Sequence, residues 1–144
     1  MNIYLCSGLS SDYEDTISID VLREVKPTIQ ADVRYLPLRP KLKPKNLLMT
    51  PPCTHFTIAR PFPRPGIRQA IEVVAACFDA ICYLEPQYWI LENPCGHLAK
   101  IIGHPKYGLR YRAADLKGKR TAIWTNKSLR RSMIPGKITK ELLS

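Results

Sequence analysis

Apolar residues at Ile67, Ile71, Val74, Phe78 and Ile81 recur in steps of three and four, the spacing that puts them on one face of a helix. RQAIEVVAACFDAICYL therefore reads as a helix, with Pro65-Gly66 suited to its start and Pro86 to its end. Short apolar runs flank it. NLLMT (Asn46 to Thr50) closes on Pro51-Pro52, and YWILE (Tyr88 to Glu92) closes on Asn93-Pro94; both read as buried strands. Strand, long crossover and strand is the grammar of parallel pairing. No other feature constrains the fold as much, because it sets the carboxyl ends of two strands side by side on one edge.

The remaining elements are shorter. NIYLC (Asn2 to Cys6) and TISID (Thr16 to Asp20) are strand candidates, and ADVRYL (Ala31 to Leu36) is a weaker third. The connector PLRPKLKPK, with three prolines and four cations, cannot be helix interior. Beyond Gly103, YGLRYRA and RTAIWTN read as a hairpin around the turn LKGK. There is no internal repeat. At 144 residues the chain is expected to form one domain over residues 1–126, followed by a short basic tail over 127–144. No apolar run approaches the roughly 18 residues that span a bilayer. MNIYLCSGLSS lacks the basic and apolar regions of an export signal. The five cysteines are odd in number and irregularly spaced, which predicts reduced thiols; Cys77 and Cys82 fall in the helix and are expected in the core.

Charge points to a partner. The net charge is +10, and after Glu92 twelve Lys or Arg face only Asp115 and Glu141. A one-sided basic half suits a polyanion, nucleic acid ahead of a membrane surface. Arg60, Lys119, Arg120, Lys127, Arg130 and Arg131 are the candidate phosphate contacts. Tyr107, Tyr111 and Trp124 are interleaved as candidate stacking surfaces, although Trp124, inside AIW, also suits a core.

Functional groups of such sheets gather at the carboxyl ends of the strands, and here those ends carry Gly8, Asp20, Asp32, Cys53 and Glu92. Cys53, stiffened by two prolines, is a thiol placed to ionise and attack. A metal alternative uses the two Cys-x-His pairs, Cys53 with His55 and Cys95 with His97: four ligands converging from neighbouring strand ends would make a tetrahedral zinc set.

The order LCSG, Asp20, ADV with Asp32, PPCTHFT, ENPCG, RYR and KRTAIWTN resembles the cytosine-5 DNA methyltransferases, and more narrowly their small phage- and virus-borne members. The resemblance runs from about Asn2 to Asn126, and PPC and ENP are its specific part. It implies an α/β fold: a shortened Rossmann-like methyltransferase sheet, mostly parallel, with helices on its faces and a small basic C-terminal extension. It implies that Cys53 adds to C6 of a cytosine flipped out of the duplex, and that Glu92 binds N3 and the exocyclic amine. Arg110 and Arg112 would hold the base O2 and the adjacent phosphate. For S-adenosylmethionine it implies Ser7 and Gly8 in the first loop, Asp20 on the ribose hydroxyls, Asp32 on the adenine amine and Pro52 packed near the adenine. The setting it implies is the cytoplasm of a prokaryotic or virus-infected cell.

The chain departs from that pattern in the cofactor half. The first loop has only Gly8, then the acidic SSDYED, and nine residues separate the first two strand candidates where a helical crossover needs about 10 to 12. A homodimer would be one way to complete such a pocket. The alternative is a degenerate relative that binds DNA, or RNA, without catalysis.

Overall fold

The computed structural model describes residues 1–8, 13–110 and 120–129. They form β1 (Asn2–Leu5), β2 (Thr16–Asp20), β3 (Ile29–Gln30), β4 (Asn46–Met49), α1 (Ile67–Leu84), β5 (Tyr88–Pro94), α2 (Leu98–Ile102), β6 (Tyr107–Arg110) and β7 (Arg120–Thr125). The seven strands make one sheet in the order β3-β2-β1-β4-β5-β7-β6. Strands β1 to β5 pair in parallel; β7 runs antiparallel to both β5 and β6.

This overturns the expected α/β class, a shortened Rossmann-like sheet with helices on its faces. The described residues hold a mixed sheet and two α-helices, one of 18 residues and one of five. The reason lies in connection length. Parallel neighbours joined through a helix need a dozen or more residues between them, but residues 6–15 link β1 to β2 and 21–28 link β2 to β3. The link from β3 to β4 is longer, yet Pro37, Pro40 and Pro44 bar a helix interior there. Only the stretch between β4 and β5 has room for α1.

The third strand also differs from expectation. Pairing stops at Ile29–Gln30, and Val33–Tyr35 is a turn of 3-10 helix. Asp32 caps it: its Oδ1 accepts from the Arg34 amide at 2.9 Å, the local side-chain bond that draws Asp out of strands.

Alternation along the strands splits the core in two. Ile3, Leu5, Leu47, Met49, Leu91, Ala122 and Trp124 pack against Val74, Cys77, Ala80 and Leu84 of α1 and against Phe56. Tyr4, Leu48, Ile90 and Ile123 form the second cluster, joined by Tyr13, Tyr107 and Leu129. The buried stripe of α1 is rotated from the one the sequence suggests: Ile71 is exposed, and Cys77 takes the core position. Cys77 is core as expected, whereas Cys82 is exposed. Trp124 is core too, its Nε1 donating to the Gly103 carbonyl at 3.0 Å.

At the amino ends of the strands the buried Asn46 side chain ties three elements together. Its Nδ2 donates to Asn2 Oδ1 at 2.9 Å, and its Oδ1 accepts from Lys127 Nζ at 3.1 Å. Asn46→Ala should therefore lower stability by about 1–3 kcal/mol, the cost of stranding buried polar partners, measured as a urea midpoint with unchanged slope.

Candidate active site

The carboxyl ends of β4 and β5 converge as the crossover predicts. Met49 is paired with Leu91, so Thr50 and Glu92 follow side by side, and the turn with Cys53 begins beyond Pro51. The buried Asn93 links the two ends, its Nδ2 donating to the Pro51 carbonyl at 2.9 Å. The PPC and ENP segments are thus joined by the side chain of one on the backbone of the other. A second tie lies just beyond. Thr57 bridges Gly96, and the His97 amide donates to the Phe56 carbonyl at 2.7 Å. A Cβ on Gly96 would stand 2.2 Å from that carbonyl oxygen, so the close approach requires glycine.

Cys53 itself is half-buried. Its carbonyl accepts from the Phe56 and Thr57 amides, which curls the chain into a turn and keeps the thiol at the rim. Arg60 is exposed on the segment that follows.

Glu92 points to the sheet face that carries Tyr4, Thr50 and Thr121. Burial pushes its carboxyl above the ordinary glutamate range, and the hydrogen bond from Thr121 opposes the shift. Tyr4 is pushed up to about 12, chiefly by burial, with the charge of Glu92 as a minor contributor. Thr50 Oγ1 donates to the Cys6 carbonyl at 2.7 Å and lies 3.2 Å from the Tyr4 hydroxyl. Past the end of β5, burial raises the Cys95 thiol while Arg120 opposes the rise. Arg120 begins β7 and is in register with Arg110 at the end of β6.

Strand order reverses between β2-β1 and β4-β5, the kind of crevice in which open sheets bind ligands. A cavity of about 470 Å³ lies there, and Gly8, Asp20, Asp32 and Pro52 line it together with Cys6, Arg34 and Thr50. Asp20 Oδ2 accepts from the Gly8 amide and Oδ1 from the Leu22 amide, each at 2.9 Å. Each carboxylate oxygen keeps a further lone pair for a ligand hydroxyl. Gly8 adopts φ +56 with open space where a Cβ would be. Ser7 is buried outside the lining, and its Oγ has no hydrogen-bond partner among the described residues. Asp32 is held differently from expectation: Arg34 grips it with Nε and Nη2, at 3.0 and 2.6 Å, and holds its carboxyl below the usual range. A guanidinium therefore shares the place where a bare carboxylate acceptor was expected.

Other candidates stand apart. Lys127 lies at the opposite end of the sheet, over the Tyr88 ring. Arg112, Lys119, Arg130 and Arg131 lie outside the described residues, as does Tyr111. The zinc set does not form: His55 Nε2 is 3.1 Å from the Pro65 carbonyl, and the His97 ring stacks on Phe62 at 4.4 Å. Among the described residues no three His, Cys, Asp or Glu are grouped to hold a metal ion. A larger cavity, about 730 Å³, lies between the Val33–Tyr35 turn and α1, away from Cys53 and Glu92. Nothing in the linear pattern marks Tyr4, Thr50 or Thr121 as site residues, since each falls in or beside a short, largely apolar run.

The chain matches no model of a known protein family and no curated protein. Among the described residues no helix is long and apolar enough to cross a membrane.

Two outcomes follow from this geometry. Asn93→Ala strands the Pro51 carbonyl and should cost about 1–3 kcal/mol, with faster alkylation of Cys53 as the turn loosens, read by mass spectrometry. For Glu92 the folded chain binds the proton more tightly than the unfolded chain. Its contribution to stability must therefore fall as pH rises through and above 4.5, the ordinary value. In thermal unfolding, Glu92→Gln should gain on the native chain as pH rises from acid to neutral.

Proposed function

We propose that the chain is a minimal DNA cytosine-5 methyltransferase, with Cys53 as nucleophile and Glu92 as the group that binds and protonates the base. The observation that supports it most is the pairing of β4 with β5. That pairing leads β4 into the turn that carries a half-buried thiol and sets a carboxyl of raised pKa near the end of β5. Thr50 and Pro52, which lead into that turn, line a cavity with Gly8, Asp20 and Asp32.

The residues fit S-adenosylmethionine in outline. The cavity falls within the roughly 300–1,000 Å³ of small-molecule sites; Asp20 has lone pairs to spare for ribose hydroxyls, and Gly8 lets the ligand approach the backbone. When bound, the cofactor supplies the methyl group. The chain's own residues do the rest. Cys53 Sγ attacks C6 of the cytosine as a thiolate, a bond that forms only if the ring can take up the electron pair. Glu92 makes that uptake favourable: a carboxyl kept neutral by burial can donate to N3. Once C5 carries the methyl group, its proton passes to solvent, and the C5–H electron pair re-forms the C5–C6 double bond as the Sγ–C6 bond breaks. The thiolate leaves, and N3 returns its proton to Glu92. Arg120, in register with Arg110 on the neighbouring strand, suits the base O2 or the flanking phosphate, as guanidinium groups do. Arg60, exposed on the segment after Cys53, suits a further phosphate.

The test is isothermal titration with S-adenosylhomocysteine, with and without a cytosine-containing duplex, followed by transfer of labelled methyl groups to that duplex. Micromolar binding and methyl transfer are expected, with Cys53→Ala reducing transfer by at least about 10³-fold while cofactor binding persists. Salt-sensitive duplex binding without cofactor binding or transfer would overturn the catalytic assignment and leave a non-catalytic DNA-binding relative.

A further inference from the structure

The buried Thr121 hydroxyl stands between two acceptors. It contacts Glu92 Oε1 and lies 3.2 Å from the Asn93 carbonyl. A hydroxyl has one proton to donate and two lone pairs with which to accept, so it cannot donate to both at once. With Glu92 ionised, the proton belongs on Oε1. With Glu92 protonated, Thr121 can accept the carboxyl's proton and turn its own to the Asn93 carbonyl. The charge of Glu92 helps to raise the Tyr4 hydroxyl on β1 and the Cys95 thiol just past β5, and Arg120, at the start of β7, opposes the rise at Cys95.

We infer that Thr121 is the positioning residue for Glu92, its hydroxyl reversing direction between the Asn93 carbonyl and Glu92 Oε1 as the carboxyl gives up and regains a proton. The carboxyl then keeps a hydrogen bond in both protonation states, with no rearrangement of the chain. The identity of the base that exchanges this proton rests on the function proposed above; the link between Thr121 and Glu92 rests on geometry.

The experiment uses the full chain as Thr121→Val, which keeps the shape and removes the hydroxyl, and as Thr121→Ser, which keeps the hydroxyl. The Glu92 carboxyl is followed directly by carbon NMR, with Glu92→Gln giving the assignment. Thr121→Val should move the Glu92 midpoint to higher pH, because the charged form loses its donor. It should lower methyl transfer on the order of tenfold, the equivalent of one hydrogen bond. Thr121→Ser should stay near the native chain in both. An unmoved midpoint in Thr121→Val, or a serine chain that titrates like the valine chain, overturns the inference. Should the valine chain not fold, the serine chain decides alone, by a native or an altered midpoint. A midpoint that moves as expected in a chain without methyl transfer upholds the positioning role and removes the catalytic one.

Discussion

Parallel strands cannot be joined by a tight turn, and among the described residues only the β4–β5 connection holds a proline-free stretch long enough for a full helix. The architecture depends on that limit. The β4–β5 crossover holds α1, and α1 covers the face that carries Ile3, Leu5, Leu47, Met49 and Leu91. The shorter links leave β1, β2 and β3 paired through the backbone without helices of comparable length. Beyond β5 the pairing turns antiparallel, and β7 enters between β5 and β6.

The same crossover builds the site. Its β5 runs on past the end of β4, and Asn93 fastens it to the chain beyond β4 through the Pro51 carbonyl. A thiol on a turn and a carboxyl on a strand are thereby held by backbone rather than by long flexible side chains. Burial does the electrostatic work. Among the described residues Glu92 loses water without gaining a cation, so its neutral form is favoured, and the Thr121 hydroxyl against it can serve either protonation state. The cofactor-sized cavity is less complete: Asp20 is anchored by two amides with lone pairs to spare, while Asp32 is already engaged by Arg34.

Legibility in the sequence followed the range of the forces involved. The helix period and the apolar runs are local, and they located β1, β2, β4, α1 and β5 to within a residue or two. ADVRYL misled because its strand propensity competes with the Asp32 cap, and the cap prevailed. The orientation of α1 misled because several of its faces carry apolar side chains. Ile71 and Cys77 differ little in pattern, and only the sheet beneath chooses Cys77.

What the sequence by itself signalled is the β4–α1–β5 crossover, because parallel neighbours need a long connection, and with it the pairing of the strand that leads to Cys53 with the strand that carries Glu92. Only the tertiary structure decided the mixed sheet, the Arg34 grip on Asp32 and the contact of Thr121 with Glu92. Each of these joins groups through folding of the backbone in space, where direction and burial matter and residue spacing carries no signal. The desolvation of Glu92 is of the same kind: a glutamate at the end of an apolar run becomes a proton-holding group only once neighbouring strands have excluded water from it.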